Sequence, residues 1–151
     1  MKLNADYVRD ILLYIEKNLG YNKGSYIHKE ITNGKLISDD FFTNYNKQEL
    51  TYALELLIKS RFVELASRPN MHDGNINTAR IIGLTWTGHE LLDNIRDNTV
   101  WNAVKKKAVK YSGLSISALS NGAKILGSAL MTDPNAIQNF LDDVNNIGNM
   151  F

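Results

Sequence analysis

The sequence predicts a mainly α chain with a small β-hairpin, an α+β fold in which a winged helix-turn-helix precedes a helical C-terminal extension. Three observations carry this expectation. An amphipathic helix with a strong amino-terminal cap, "NKQELTYALELLIKSRF", runs directly into a short β-prone segment, "FVELAS". A turn-rich stretch, "RPNMHDGN", leads to a second such segment, "TARIIGL", which suits a β-hairpin. A further helix opens at once from "LTWTGHELL". Helix, hairpin, helix, with short elements ahead of them, is the winged-helix order.

The first helix is capped by Asn4, carries Asp6 in its first turn, and repeats Val8, Ile11, Leu12 and Ile15 until Leu19-Gly20. The stretch from Ser25 to Ile31 alternates and leans β, and Asn33-Gly34 reads as a turn. Ser38, followed by Asp39 and Asp40, is expected to cap a short helix bearing Phe41 and Phe42.

Asn46 stands three residues before Glu49, a capping-box spacing. Leu50, Ala53, Leu54, Leu57 and Ile58 form the apolar face of that helix. Lys47, Gln48, Thr51, Tyr52, Glu55 and Lys59 form the polar face.

Thr85 is expected to cap a long helix running to Ala108, with a kink or restart near Asn98-Thr99 where the apolar pattern slips. Gly88 falls at its third position, where a side chain would crowd the preceding sheet if the helix start packs closely on it. "YSGLS" reads as a linker. A small-residue helix follows from Ile116 to Met131, and another is started by Pro134 with Ile137, Phe140, Leu141, Val144 and Ile147 on its apolar face. The expected division is a winged-helix domain at 1–98 and a helical extension at 99–151.

Composition narrows the function. No stretch approaches the roughly 18 uninterrupted apolar residues of a membrane span, and the amino terminus lacks the features of a signal peptide. The chain has no cysteine, so it carries no disulfide, zinc-cysteine site or thiol nucleophile, and a cytoplasmic location is expected. Net charge is +1, but its distribution is uneven. Between 96 and 111, Arg96, Lys105, Lys106, Lys107 and Lys110 face Asp97 alone.

Together "MKLNADYVRDILLYIE", "YALELLIKSRFVEL" and "LTWTGHELLDNIRDNTVWNAVKKKA" resemble a family of small bacterial and phage-associated proteins. Its members begin Met-Lys-Leu-Asn-x-Asp-x-Val-Arg-Asp and carry Leu-Thr-x-x-Gly-His-x-x-Leu-Asp-x-Ile-Arg-Asp. The resemblance spans residue 1 to about 130 and implies a winged-helix fold and a phage or prophage association. It brings no reaction with it. The insert-like "GYNKGSYIHKEITNGKLISDDFF" and the tail after Met131 depart from the pattern, so a specialised role is expected there if anywhere.

Several residues are candidates for contact with double-stranded DNA. A recognition helix places its amino-terminal half in the major groove, so Asn46, Lys47, Gln48, Thr51 and Tyr52 would meet the duplex. Glu55 would face away or read cytosine. Arg68, His72, Asn75 and Arg80 mark the wing, while Lys105, Lys106, Lys107 and Lys110 are candidate phosphate contacts. Successive lysines on a helix fan over about 200°, so not all can reach one partner.

An enzyme is not expected. His28, His72 and His89 lie far apart and no metal site is expected. Asp39-Asp40 and Asp142-Asp143 are adjacent pairs, which point apart on a helix. No cofactor motif is present. The tail residues Ala118, Gly122, Ala123, Gly127 and Ala129 permit close helix packing, which serves either a homodimer or the chain itself. The overall expectation is a phage or prophage type transcriptional regulator. The alternative is a phage-derived module that binds or inhibits a host protein such as a defence component.

Overall fold

The computed structural model describes residues 1–111 and 115–148, with side chains described to 110 and from 115 to 142. The chain is mixed α+β and divides into two compact units, Met1–His89 and Glu90–Phe151. That division falls inside a helix, ahead of the 98/99 boundary expected from the sequence.

In the first unit α1 (Ala5–Asn18) starts where Asn4 Oδ1 accepts the Tyr7 N–H at 3.4 Å. Gly20 follows with φ +140, and the chain runs on to β1 (Ile31–Thr32). The β tendency of the segment before it survives as one bridge, Tyr21 to His28. Asn33-Gly34 does not turn the chain. It opens a short helix, α2 (Asn33–Ile37), because Thr32 Oγ1 caps the Lys35 N–H at 3.3 Å. The Asn33 side chain is also occupied elsewhere, since its Oδ1 accepts the Ala79 N–H at 3.0 Å.

A single 3₁₀ turn (Asp40–Phe42) then follows. Asp39 rather than Ser38 caps it, through Oδ1 and the Phe41 N–H at 2.9 Å. The carboxylate is one atom longer than the serine hydroxyl and also reaches Tyr14 Oη, which donates at 2.8 Å.

Next come α3 (Lys47–Lys59), β2 (Val63–Leu65), β3 (Asn70–His72), β4 (Asn75–Thr78), β5 (Arg80–Leu84) and α4 (Trp86–Ile95). β5 is the middle strand of an antiparallel sheet of order β1-β5-β2, with Ile31 and Leu65 both opposite Ile81. β3 and β4 form a separate hairpin. Asp73 and Gly74 join them with φ +49 and +78, two left-handed residues as a tight primed turn requires. Val8, Ile11, Leu12 and Ile15 of α1 pack with Leu50, Ala53, Leu54 and Leu57 of α3 and with Ile81, all at most 2% exposed. Helical spacing put the α1 and α3 residues on the inward faces of their helices.

α3 ends in a Schellman arrangement. The Phe62 N–H bonds to the Leu57 carbonyl at 3.0 Å and the Arg61 N–H to Ile58 at 3.1 Å. Arg61 takes the left-handed position, φ +62, where glycine is usual.

The expected long helix is two helices, with the restart near Asn98-Thr99 that the slip in the apolar pattern predicts. Asp97 caps α5 (Asn98–Tyr111), its Oδ1 accepting the Thr99 and Val100 N–H groups at 2.8 and 3.1 Å. α6 (Ile116–Leu130) and α7 (Ala136–Gly148) pack with α5. α7 begins two residues after Pro134, because Asp133 caps the intervening turn through the Asn135 N–H at 2.8 Å. Most of the expected linker, 112–114, and the Val144 and Ile147 side chains lie outside the described residues.

Candidate functional site

The outward face of α3 lines an open groove of about 480 Å³ with Met1, Lys47, Gln48, Thr51, Tyr52 and Glu55. Gln48 and Thr51 are exposed and Tyr52 is half-buried. Asn46 Oδ1 accepts the Gln48 and Glu49 N–H groups at 3.0 and 3.1 Å, as a cap should. The reciprocal half of the capping box is absent. Glu49 Oε2 accepts from Asn4 Nδ2 at 3.1 Å, and the Asn46 N–H donates to Tyr7 Oη at 3.0 Å. α1 and its cap residue Asn4 supply the two partners, so the start of α3 is also tied to the start of α1.

Two polar residues of this face are committed within the chain. Lys47 Nζ donates to the carbonyls of Ile37 and Phe42 at 2.9 and 2.7 Å, holding the ends of α2 and the 3₁₀ turn. Glu55 does not face away. Its Oε1 meets Lys59 Nζ at 2.7 Å and accepts the Ile76 N–H at 3.4 Å, while Lys59 also donates to the Gly74 carbonyl at 3.1 Å. The hairpin is thereby held over the middle of α3. Thr51 Oγ1 donates to the Lys47 carbonyl at 2.7 Å and keeps its lone pairs available.

Of the wing candidates, Arg68, His72 and Asn75 are exposed on or beside the hairpin, with His72 Nε2 3.4 Å from Asp73 Oδ2. Arg80 stands apart from them. Its guanidinium forms a two-pronged pair with Glu30, at 3.3 and 2.7 Å, and the carboxylate raises its pKa.

The lysine cluster belongs to the second unit. Lys105 Nζ lies 5.5 Å from the Trp101 ring and Lys107 Nζ 4.0 Å from Phe140, so these two stems cover aromatic surface. Lys106 and Lys110 are exposed. The small residues of α6 pack inside this unit: Ala123 is buried and Gly122 faces Val104.

Two tyrosines of the first unit donate to carboxylates, Tyr14 to Asp39 and Tyr45 to Asp10, each at 2.8 Å. Burial pushes Tyr14 up to about 12, helped by its hydrogen bond to Asp39, and it pushes Tyr45 to the same value beside Asp10. The Phe41 N–H and then Tyr14 hold Asp39 below the usual carboxylate range. Among the described residues no cluster of three or more His, Asp or Glu could hold a metal ion, and no helix is long and apolar enough to cross a membrane.

Sequence reasoning missed the roles of Tyr7 and Glu55 and a cleft lined by His28, Lys29 and Lys35. The cleft falls in the insert-like segment, which was itself a signal. The Tyr7 and Glu55 partners lie 39 and 21 residues away, beyond any local pattern.

A family model described as "Hypothetical protein (DUF2513)" matches residues 2–115. The chain belongs to this family. DUF2513 here takes in all of the first unit except Met1, together with α4 and α5. A Haemophilus influenzae protein described as "Uncharacterized protein" is 32% identical over 132 residues, covering 87% of this chain and 99% of that relative. No solved structure matches significantly.

Proposed function

We propose that this DUF2513 member is a winged-helix protein that binds double-stranded DNA without catalysing a reaction, as a transcriptional regulator of phage or prophage type. The observation that carries the reading is the outward presentation of Gln48 and Thr51 on a helix whose opposite face is the core. The strand order β1-β5-β2 and a hairpin held beside α3 support it, because a wing flanks the recognition helix in such modules. Gln48 can pair with an adenine edge, and Thr51 and Tyr52 can meet bases or phosphates. Arg68, at the base of the hairpin, is the wing cation best suited to a phosphate. Two copies associating through the C-terminal helices would read two half-sites.

Fluorescence polarisation on a mixed-sequence duplex at about 50 mM salt tests the reading, with binding expected at micromolar protein and weakening as salt rises. Absence of binding, or binding indifferent to salt, overturns it.

One observation favours a second reading, a module that binds or inhibits a host protein such as a defence component. Lys47 and Arg80, two cations expected to meet the duplex from the recognition helix and the wing, are engaged inside the chain, and the groove includes the Glu55 carboxylate. A stoichiometric host protein retained after nuclease treatment of a lysate would decide for it.

A further inference from the structure

We infer that the cleft between the carboxyl end of α1 and the segment entering α2 binds a free organic phosphate of mononucleotide size, with Lys29 and Lys35 holding the anion. The cleft is open to solvent and measures about 590 Å³, within the ~300–1,000 Å³ usual for small-ligand sites. It shares no lining residue with the α3 groove, so the inference stands apart from duplex binding.

Charge carries the assignment. Lys29 and Lys35 both line the cleft, and neither ammonium makes an ion pair or a hydrogen bond among the described residues. The cleft's one carboxylate, Glu30, gives both oxygens to Arg80. Two uncompensated ammonium groups around one concavity suit a dianion, and lysine binds phosphate well as a point charge. Leu19 and Ile31 supply an apolar surface for the body of the ligand.

The wall is built. The Lys29 N–H bonds to the Gly20 carbonyl at 2.7 Å and the Asn22 N–H to the Ile27 carbonyl at 2.9 Å, closing the loop on itself. Gly24, with φ +71, allows the tight return between them. His28 is stacked on Tyr21, ring centroids 4.3 Å apart, which fixes the imidazole at the rim. The ordered loop fixes the backbone that carries Lys29, and Lys35 stands on α2, so the two lysines meet at one cleft from separate elements.

Titration of the full chain with AMP, followed by amide resonances of His28 and Lys29 and by calorimetry, tests this. Saturable binding is expected, with inorganic phosphate about 10-fold weaker for want of the apolar contacts. Lys29→Ala with Lys35→Ala should weaken AMP by about 10-fold or more, while circular dichroism melting stays unchanged because both side chains are exposed. No resonance shift at about 10 mM AMP, or undiminished binding by the double variant, overturns the site. Equal affinity for inorganic phosphate overturns the organic body. A short duplex that displaces AMP overturns the free ligand and names nucleic acid as the source of the phosphoester.

Discussion

Gly88 lies so close to Phe62 that a β-carbon at 88 would overlap the Phe62 carbonyl oxygen. That oxygen already accepts the Thr85 N–H at 3.1 Å, and Thr85 Oγ1 accepts the Gly88 N–H at 3.1 Å. The first turn of α4 is therefore seated on the turn that leaves α3, with backbone against backbone. Gly88→Ala should cost about 2–3 kcal/mol, the upper part of the range for overpacking, because neither backbone can yield as a side chain would. Urea denaturation checks it. A loss below about 1 kcal/mol would mean that α4 can lift away.

Arg61 should behave in the opposite sense. Its left-handed φ of +62 carries a side-chain penalty of order 1 kcal/mol that glycine avoids. Its side chain is exposed, so little packing is lost on removal. Arg61→Gly is expected to raise the urea midpoint, with a gain in stability of up to about 1 kcal/mol after glycine's greater unfolded-state entropy is deducted. A lowered midpoint would show that the arginine side chain stabilises the turn.

These two positions mark how far the sequence can be read. Gly88 was legible because a glycine three residues into a capped helix needs a reason. The core faces of α1 and α3 were legible because burial follows helical period. The break in the long helix was legible too, because the apolar pattern slips near Asn98-Thr99 and α5 restarts at Asn98 under the Asp97 cap. The outward face of α3 was legible as polar, but not its division into open residues and engaged ones. Gln48 and Lys47 are neighbours of similar character, and only tertiary placement sends the lysine to two carbonyls.

Tyr14 and Tyr45 make the fold sensitive to alkali. Both are neutral in the folded state and raised from 10.0 to about 12, chiefly by burial and then by Asp39 and Asp10. The unfolded chain loses these protons first, so their contribution is complete below pH 10 and is lost as pH climbs from 10 towards 12. The urea midpoint should fall across that window. Tyr14→Phe with Tyr45→Phe should be less stable at neutral pH, with a shallower alkaline fall. An equally steep fall in the variant would assign it to other groups.

Glu55 should govern the hairpin more than the core. Its carboxylate joins Lys59 and the Ile76 N–H, and Lys59 reaches the Gly74 carbonyl. Glu55→Ala removes the acceptor for Ile76 and releases Lys59, while the buried face of α3 is untouched. Hydrogen exchange at Ile76 is expected to accelerate by about 10-fold, with exchange at Leu54 and Leu57 nearly unchanged. Uniform acceleration would mean that the hairpin and core open together. If the proposed duplex binding holds, the same variant should lose affinity because the hairpin is no longer positioned.

Lys47 separates charge from architecture. On the face of α3 it would be expected to contribute one released counterion to duplex binding. Its two hydrogen bonds to the Ile37 and Phe42 carbonyls give it a structural duty instead. Lys47→Met keeps the stem and removes the ammonium, leaving two helix-end carbonyls to water. Stability should fall by about 1–2 kcal/mol, since a charged donor is lost at a largely exposed position. The slope of log affinity against log salt should stay near that of the parent, whereas Arg68→Ala should reduce it by about one. The decisive measurement is the pair of salt titrations. If Lys47→Met flattens the slope as much as Arg68→Ala does, the ammonium leaves its carbonyls to meet phosphate in the complex.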